Sequence, residues 1–246
     1  MRPRPARPSV DDMPDKHVLR IGAVAAFLGV IGGFAAAMVE PGRVGDADEA
    51  IRKIAEMDGW SGRWLVHLAG SLLLVTALVV VTRTFTDGPA REWSRIGQAL
   101  LVIAGSLGAA EVLVGAGTKS LADGWASAPA GSELPYLTAF EAAWNTTVNL
   151  DFGAIVAVGL FELMLAMAIL TSSVYPRWLG WASGASGVLG LVGIVLELWS
   201  PIGTALNLVS ALVVYVVLVA LGVSLWRRSA GPSRFAAIPN LKGELR

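Results

Sequence analysis

The sequence predicts an all-α polytopic membrane protein with six transmembrane helices, both termini cytoplasmic, and a short amphipathic helix in the first outer loop. Three observations carry this reading. Of 246 residues, 54% are apolar and 15% charged, against about 45–50% and about 25% in ordinary soluble domains; mean hydropathy is +0.62. Six apolar runs each reach the roughly 20 residues that a helix needs to cross about 30 Å of hydrocarbon. Lysine and arginine divide fourteen to five between the two sets of connections that these runs leave, and the richer side faces the cytoplasm.

The first run, Arg20–Val39, carries no charge from Ile21 onward. Its Ala-Met-Val-Glu-Pro end resembles a weak cleavage site. The run is nevertheless too long for a usual signal-peptide core, so it reads as a retained anchor. Next, Asp46 and Glu49 give a cap-like start, and Ile51, Ile54 and Met57 recur at helical spacing before Gly59. Glu49 and Lys53 add an i,i+4 pair. This segment, Asp46–Asp58, is the amphipathic helix, either a shield over the bundle or a gating lid.

The remaining runs are Trp64–Thr82, Ile96–Gly115, Val148–Leu170, Trp178–Leu198 and Thr204–Trp226. Short inner loops, Arg83–Arg95 and Thr171–Arg177, make the second and third spans antiparallel neighbours, and likewise the fourth and fifth. The outer connection Thr118–Asn145 is long and holds Pro129 and Pro135, with its latter part, from Thr138, extending the fourth helix. Residues 1–19 and 229–246 read as cytoplasmic mobile tails around a transmembrane domain at 20–228. Trp60, Trp64, Trp125, Trp144 and Trp199 fall at outer ends and Trp93, Trp178, Trp181 and Trp226 at inner ends, as headgroup anchors do. Gly29 and Gly33 in the first span, and Gly180, Gly184, Gly187, Gly190 and Gly193 in the fifth, mark faces where helix backbones approach.

Composition also limits function. Formal charge is zero and no basic stretch interleaves aromatics, which argues against nucleic acid as a partner. There is no cysteine, hence no disulfide, zinc–cysteine or iron–sulfur centre. No P-loop, HExxH or Rossmann glycine pattern occurs, and no cofactor is predicted. A haem between two histidines is disfavoured, because His17 lies in the cytoplasmic tail and His67 near the outer side. The serines Ser71, Ser106 and Ser210 have only His67 as an intramembrane base, and nothing in the sequence fixes their geometry.

The informative residues are polar groups inside spans, where a charge costs roughly 2.5–3.5 kcal/mol on insertion scales and normally faces the bundle interior. His67, Glu111, Asp151, Glu197 and Asn207 fall in the outer third of five consecutive helices, with Asn149 nearby. Together they are the candidate polar vestibule. Glu162 lies eleven residues below Asp151 on nearly the same helix face, roughly 16 Å deeper, and is the candidate buried titrating group. Three readings stay open. The outer groups touch headgroups and water as structure alone; or an outward-facing vestibule binds or passes a proton, cation or small polar ligand; or His67, Glu111, Asp151 and Glu197 ligate a catalytic metal.

Arg20-Ile21-Gly22 opens a first span that ends near Glu40-Pro41. Arg63 leads the second span, and Tyr175-Pro176-Arg177-Trp178-Leu179-Gly180-Trp181 enters a glycine-rich fifth. In this layout the chain, over about residues 18–228, resembles a broad group of bacterial six-span membrane proteins forming a family of unknown function. The resemblance implies six inner-membrane helices and carries over no catalytic residue. Fifteen arginines against four lysines, with abundant alanine and glycine, accord with a GC-rich bacterial source. The working reading is binding or permeation through the vestibule. Its alternative is a non-catalytic structural or partner-binding membrane subunit, and a metal-dependent membrane enzyme is third. The expected partners are the lipid bilayer, a small polar ligand or cation, and a membrane protein.

Overall fold

The computed structural model describes residues 14–37 and 47–230. The outermost parts of both tails, the Met38–Pro41 end of the first run, Arg43 and the Asp46 cap lie outside the described residues. Seven helices form, and no strand occurs among the described residues: α1 (Lys16–Ala37), α2 (Ala47–Glu56), α3 (Trp60–Thr82), α4 (Gly88–Ser127), α5 (Leu134–Leu170), α6 (Arg177–Glu197) and α7 (Pro201–Ala230). All but α2 are long and apolar enough to cross a membrane, as in a multi-pass membrane protein.

Chain order dictates the packing. α1 lies against α3 and α7, and α3–α4, α4–α5, α5–α6 and α6–α7 are successive neighbours, so the six long helices close into a ring. α2 rests on α4 and α5. Because six crossings return the chain to its starting side, Leu19 of α1 and Leu225 of α7 share one core cluster. The two ends of the bundle are therefore a termini end and an α2 end. Large apolar side chains such as Ile31, Leu65, Ile103, Leu113, Val188 and Val216 are exposed around the outside, the pattern of helices solvated by lipid rather than water.

Small residues set the closest approaches. The α1 and α3 backbones meet at Gly32 and Gly70, where a Cβ added to Gly70 would stand 2.9 Å from the Gly33 nitrogen. On α6 the glycine stripe serves two neighbours. Gly180, Gly184 and Gly187 face α5 at Leu170, Ala166 and Gly159, while Gly190 and Gly193 face α7 at Ser210 and Asn207. Packing explains the whole stripe.

The structure corrects the expected outer connection Thr118–Asn145. α4 continues to Ser127 and α5 begins at Leu134, leaving only the turn at 128–133. At 40 and 37 residues, these helices run roughly 60 and 55 Å, well past the ~30 Å of hydrocarbon. Three features support the added turns. Lys119 pairs with Asp123 at 2.8 Å. Pro135 stands in the first turn of α5, where no amide donor is required. The α2 helix covers the extension, burying Ala50, Ile51 and Ile54 beside Ala122 and Phe140.

Lys119 also fixes α2, because its Nζ donates to the Ile54 and Ala55 carbonyls at 3.1 and 2.9 Å, placing a cation at the helix C-terminus. Gly59, with φ +72°, then turns the chain into α3. On α2 itself, Lys53 and Glu49 pair at 2.7 Å as expected.

Two tryptophans are not headgroup anchors. Trp60 and Trp64 are only 3% and 6% exposed, because the protruding α4 and the overlying α2 enclose them. Trp60 Nε1 donates to the Gly115 carbonyl at 2.9 Å and lies 3.1 Å from Thr118 Oγ1. By contrast Trp178, Trp181, Trp199 and Trp226 are exposed, as anchors should be.

Candidate functional site

The interior differs between the two ends. Toward the termini end all six long helices contribute to one apolar cluster, including Ala23, Val81, Leu101, Phe161, Leu179 and Leu221. Tyr175, in the turn between α5 and α6, closes this end. Its ring packs on Phe85, its hydroxyl lies 3.1 Å from Thr84 Oγ1, and the Arg228 guanidinium sits 4.8 Å over its face while donating to the Val174 carbonyl. At the α2 end the apolar cluster draws, among the described residues, only on α2, α3, α4 and α5.

The polar groups belong to the α2 half. His67 on α3 is partly buried and stacks on Trp64, with ring centroids 5.8 Å apart and planes 19° from parallel. Trp64 in turn meets Trp60 edge-on, so the imidazole rests on a ladder pinned to α4. Asp151 of α5 acts electrostatically on His67. α3 and α5 both flank α4 in the ring, and α4 presents Glu111 between them, buried to 6% exposure. Packing contacts set the register: Trp64 fits against Gly115 of α4, and Leu107 of α4 against Gly153 of α5. Glu111 lies one turn from both Gly115 and Leu107, so Glu111, His67 and Asp151 share a level to within about one helical turn.

Glu197 and Asn207 make a second polar group. Asn207 Nδ2 donates to Glu197 Oε2 at 2.7 Å, and Thr204 Oγ1 reaches Oε1 at 3.4 Å. The bonds clasp α6 to α7 near their connection. Gly193 permits this, since an added Cβ would stand 2.9 Å from Asn207 Cγ. Asn207 Oδ1 is buried without a hydrogen bond. Asn149, by contrast, is exposed.

Glu162 sits apart from both groups. It is 5% exposed, with its side chain against Ser186 and its Cβ facing Gly187 of α6. Ser186 and Ser210 then join α6 to α7. Each hydroxyl reaches the other residue's carbonyl, at 3.0 and 2.9 Å, and the two oxygens lie 3.0 Å apart. These serines stand out in the sequence only as small residues in a glycine-rich span; their role needed the helix rotation.

Accessibility along α5 separates the halves again. From Ala157 to Ile169 buried positions recur with helical spacing, whereas from residue 148 to 156 no residue is buried. Those nine residues make about two and a half turns, so no face of α5 is fully buried there, including the one turned into the ring. Residues 105–110 of α4 behave alike.

Among the described residues no three His, Asp or Glu side chains gather in a metal-holding arrangement. Ser106 bonds back to the Val102 carbonyl and Ser210 to Ser186, so neither hydroxyl is presented to His67. Comparison of the chain with protein-family models, curated proteins and solved structures finds no match.

Proposed function

We propose that the protein binds or passes a proton, a cation or a small polar ligand through a polar vestibule that opens at the α2 end. The continuous accessibility of residues 148–156 carries this reading: a helix packed on all inward sides keeps a buried stripe, and α5 loses its stripe at the level of Asp151, His67 and Glu111. Asp151 and Glu111 supply negative charge, His67 a switchable partner, and Glu197 with Asn207 a further polar wall. The apolar cluster contributed by all six long helices forms the floor.

Positive charge places the membrane. The termini end holds Arg83, Arg91, Arg95, Arg177, Arg227 and Arg228, which supports cytoplasmic termini in a bacterial cell membrane and an outward-facing vestibule. The exposed Arg52 and Lys53 of α2 favour a second role, docking of a membrane protein partner; copurification that depends on this helix tests it.

The chain lacks cysteine, so single-cysteine labelling tests the vestibule directly. Val148→Cys, Leu150→Cys, Ala154→Cys and Ile155→Cys fall, at about 100° per residue, on the side of α5 that is buried from Ala157 onward, and all four should react with a membrane-impermeant thiol reagent from one side. Ala157→Cys and Phe161→Cys should stay protected. Protection of all four, or equal labelling of all six, overturns the proposal.

A further inference from the structure

Where α5, α6 and α7 meet, we infer a proton-binding site formed by Glu162, Ser186 and Ser210, in which the proton on Glu162 determines how α6 holds α7. The argument is a count of hydrogens. A serine hydroxyl has one hydrogen and two acceptor positions. When Ser186 donates to the Ser210 carbonyl and Ser210 to the Ser186 carbonyl, as the 3.0 and 2.9 Å separations allow, both hydrogens are committed across the α6–α7 contact. Neither is left for the Glu162 carboxyl beside Ser186.

No charge compensates a carboxylate at this point. α6 has ionisable residues only at its ends, Arg177 and Glu197, and α7 has Tyr215, Arg227 and Arg228. The α4 groups nearest in register, Glu92 and Arg95, pair with each other at 3.4 Å on the exposed face. On α5 itself Asp151 lies roughly 16 Å away. An unpaired, undonated charge at this depth is strongly disfavoured. The neutral acid fits this reciprocal arrangement: its carboxyl hydrogen faces Ser186 Oγ, and the two serines keep their reciprocal bonds.

Removing that hydrogen leaves two where there were three. Ser186 then turns its hydrogen from the Ser210 carbonyl to the Glu162 carboxylate. Ser210 turns its own to Ser186 Oγ, which already stands 3.0 Å away. Proton release to water thus replaces the two reciprocal α6–α7 bonds by a chain running Ser210 to Ser186 to Glu162, leaving one bond between α6 and α7 and reversing the direction of the one between α5 and α6. Close backbone approach keeps the three groups in reach, since a Cβ at Gly187 would stand 2.7 Å from the Gly159 carbonyl oxygen. Ser183, one turn away on α6, holds a buried hydroxyl oxygen with no hydrogen bond, whereas Thr76, Ser106 and Thr147 bond back to their own helices.

Infrared difference spectroscopy of the full chain in lipid, titrated from about pH 4 to about pH 10, tests this. Wild type should show a protonated-carboxyl stretch that disappears within the range and is absent from Glu162→Gln. Ser186→Ala should shift the frequency of that stretch, because the hydroxyl facing the carboxyl is gone; this variant decides the matter even if Glu162→Gln does not fold. Asp151→Asn should leave the band unchanged, which separates this site from the vestibule, whose failure would appear only in cysteine labelling. Difference spectra that are the same for wild type and Glu162→Gln, or a stretch indifferent to Ser186→Ala, overturn the inference.

Discussion

Replacing Gly187 with alanine, set against the same change at Gly184, isolates the contact on which the α5–α6 geometry depends. Both glycines lie in the middle of one helix and face one neighbour, so the gain in helix propensity, about 1 kcal/mol, is common to both and cancels in the comparison. The surroundings differ. A Cβ at Gly184 would meet only the Ala166 methyl at 3.4 Å, an ordinary contact. At Gly187 it would stand 2.7 Å from the Gly159 carbonyl oxygen, 3.2 Å from Glu162 Cβ and 3.2 Å from Leu163 Cγ. The leucine can move, but the carbonyl belongs to the α5 backbone and cannot swing aside. Relief requires separating the helices, at a cost of about 1–3 kcal/mol for overpacking. The assay is reversible unfolding in mixed micelles of rising denaturing-detergent fraction, followed through the combined fluorescence of the nine tryptophans. Gly184→Ala should match or exceed wild type, and Gly187→Ala should fall below Gly184→Ala by that amount. Equal midpoints for the two variants would show that α5 and α6 do not approach as described.

Lys119→Met removes the cation at the end of α2 and leaves the Ile54 and Ala55 carbonyls without their side-chain donor. A loss of about 1 kcal/mol should speed amide exchange across residues 47–56 roughly fivefold while α6 and α7 exchange as before; an unchanged rate in α2 refutes the latch. Burial pushes the Tyr175 phenol above its ordinary value of about 10, with the Thr84 hydroxyl and the Arg228 charge drawing it back in part. A raised value means that the folded state favours the neutral phenol, so this contribution to stability is intact below about pH 10 and fades as pH rises through the higher folded value. Phenolate absorbance should show one late-titrating tyrosine that Tyr175→Phe removes; its persistence in the variant contradicts the assignment.

How far the sequence reaches depends on what each feature requires. Six helices follow from hydropathy over about 20 residues, a property that survives ignorance of neighbours. The packing role of Gly29, Gly33 and the α6 stripe follows for the same reason, since a missing side chain invites a backbone whichever helix supplies it. The outward extension of α5 was legible, from Thr138 against the observed Leu134, but the end of α4 did not follow. Thr118–Ser127 is polar enough to read as loop, and it is helical because α2 covers it and Lys119 ties the two together. Trp60 and Trp64 looked like interfacial anchors for a related reason: indole at a span end suits both headgroups and a covered niche, and only the protrusion of α4 decides between them. For the polar groups, depth was readable and direction was not. Spacing put His67, Glu111 and Asp151 at similar depth; that His67 feels Asp151 required the order of helices around the ring. Ser186 and Ser210 lie 24 residues apart on antiparallel helices, and no periodicity links them.

The division of the bundle into unlike halves bears on what any passage would require. Below Glu162, the helices are joined by an apolar cluster shared among all six and by the Tyr175–Arg228 closure, which binds the α3–α4 turn, the α5–α6 turn and the end of α7 into one contact. Above it, α6 and α7 are joined to each other by the Glu197–Asn207 clasp and the serine pair, but they take no part in the α2–α5 cluster. The seam between α5 and α6 is therefore a place where the α2 half can widen without breaking the α2–α5 apolar packing, and Glu162 sits on that seam. A proton arriving there acts on a joint between two groups of helices, whereas a proton on Asp151 or Glu111 acts within one group. On the proposed vestibule reading, coupling of ligand to movement is therefore to be sought in variants of Glu162 and Ser186 before those of Asp151 and Glu111.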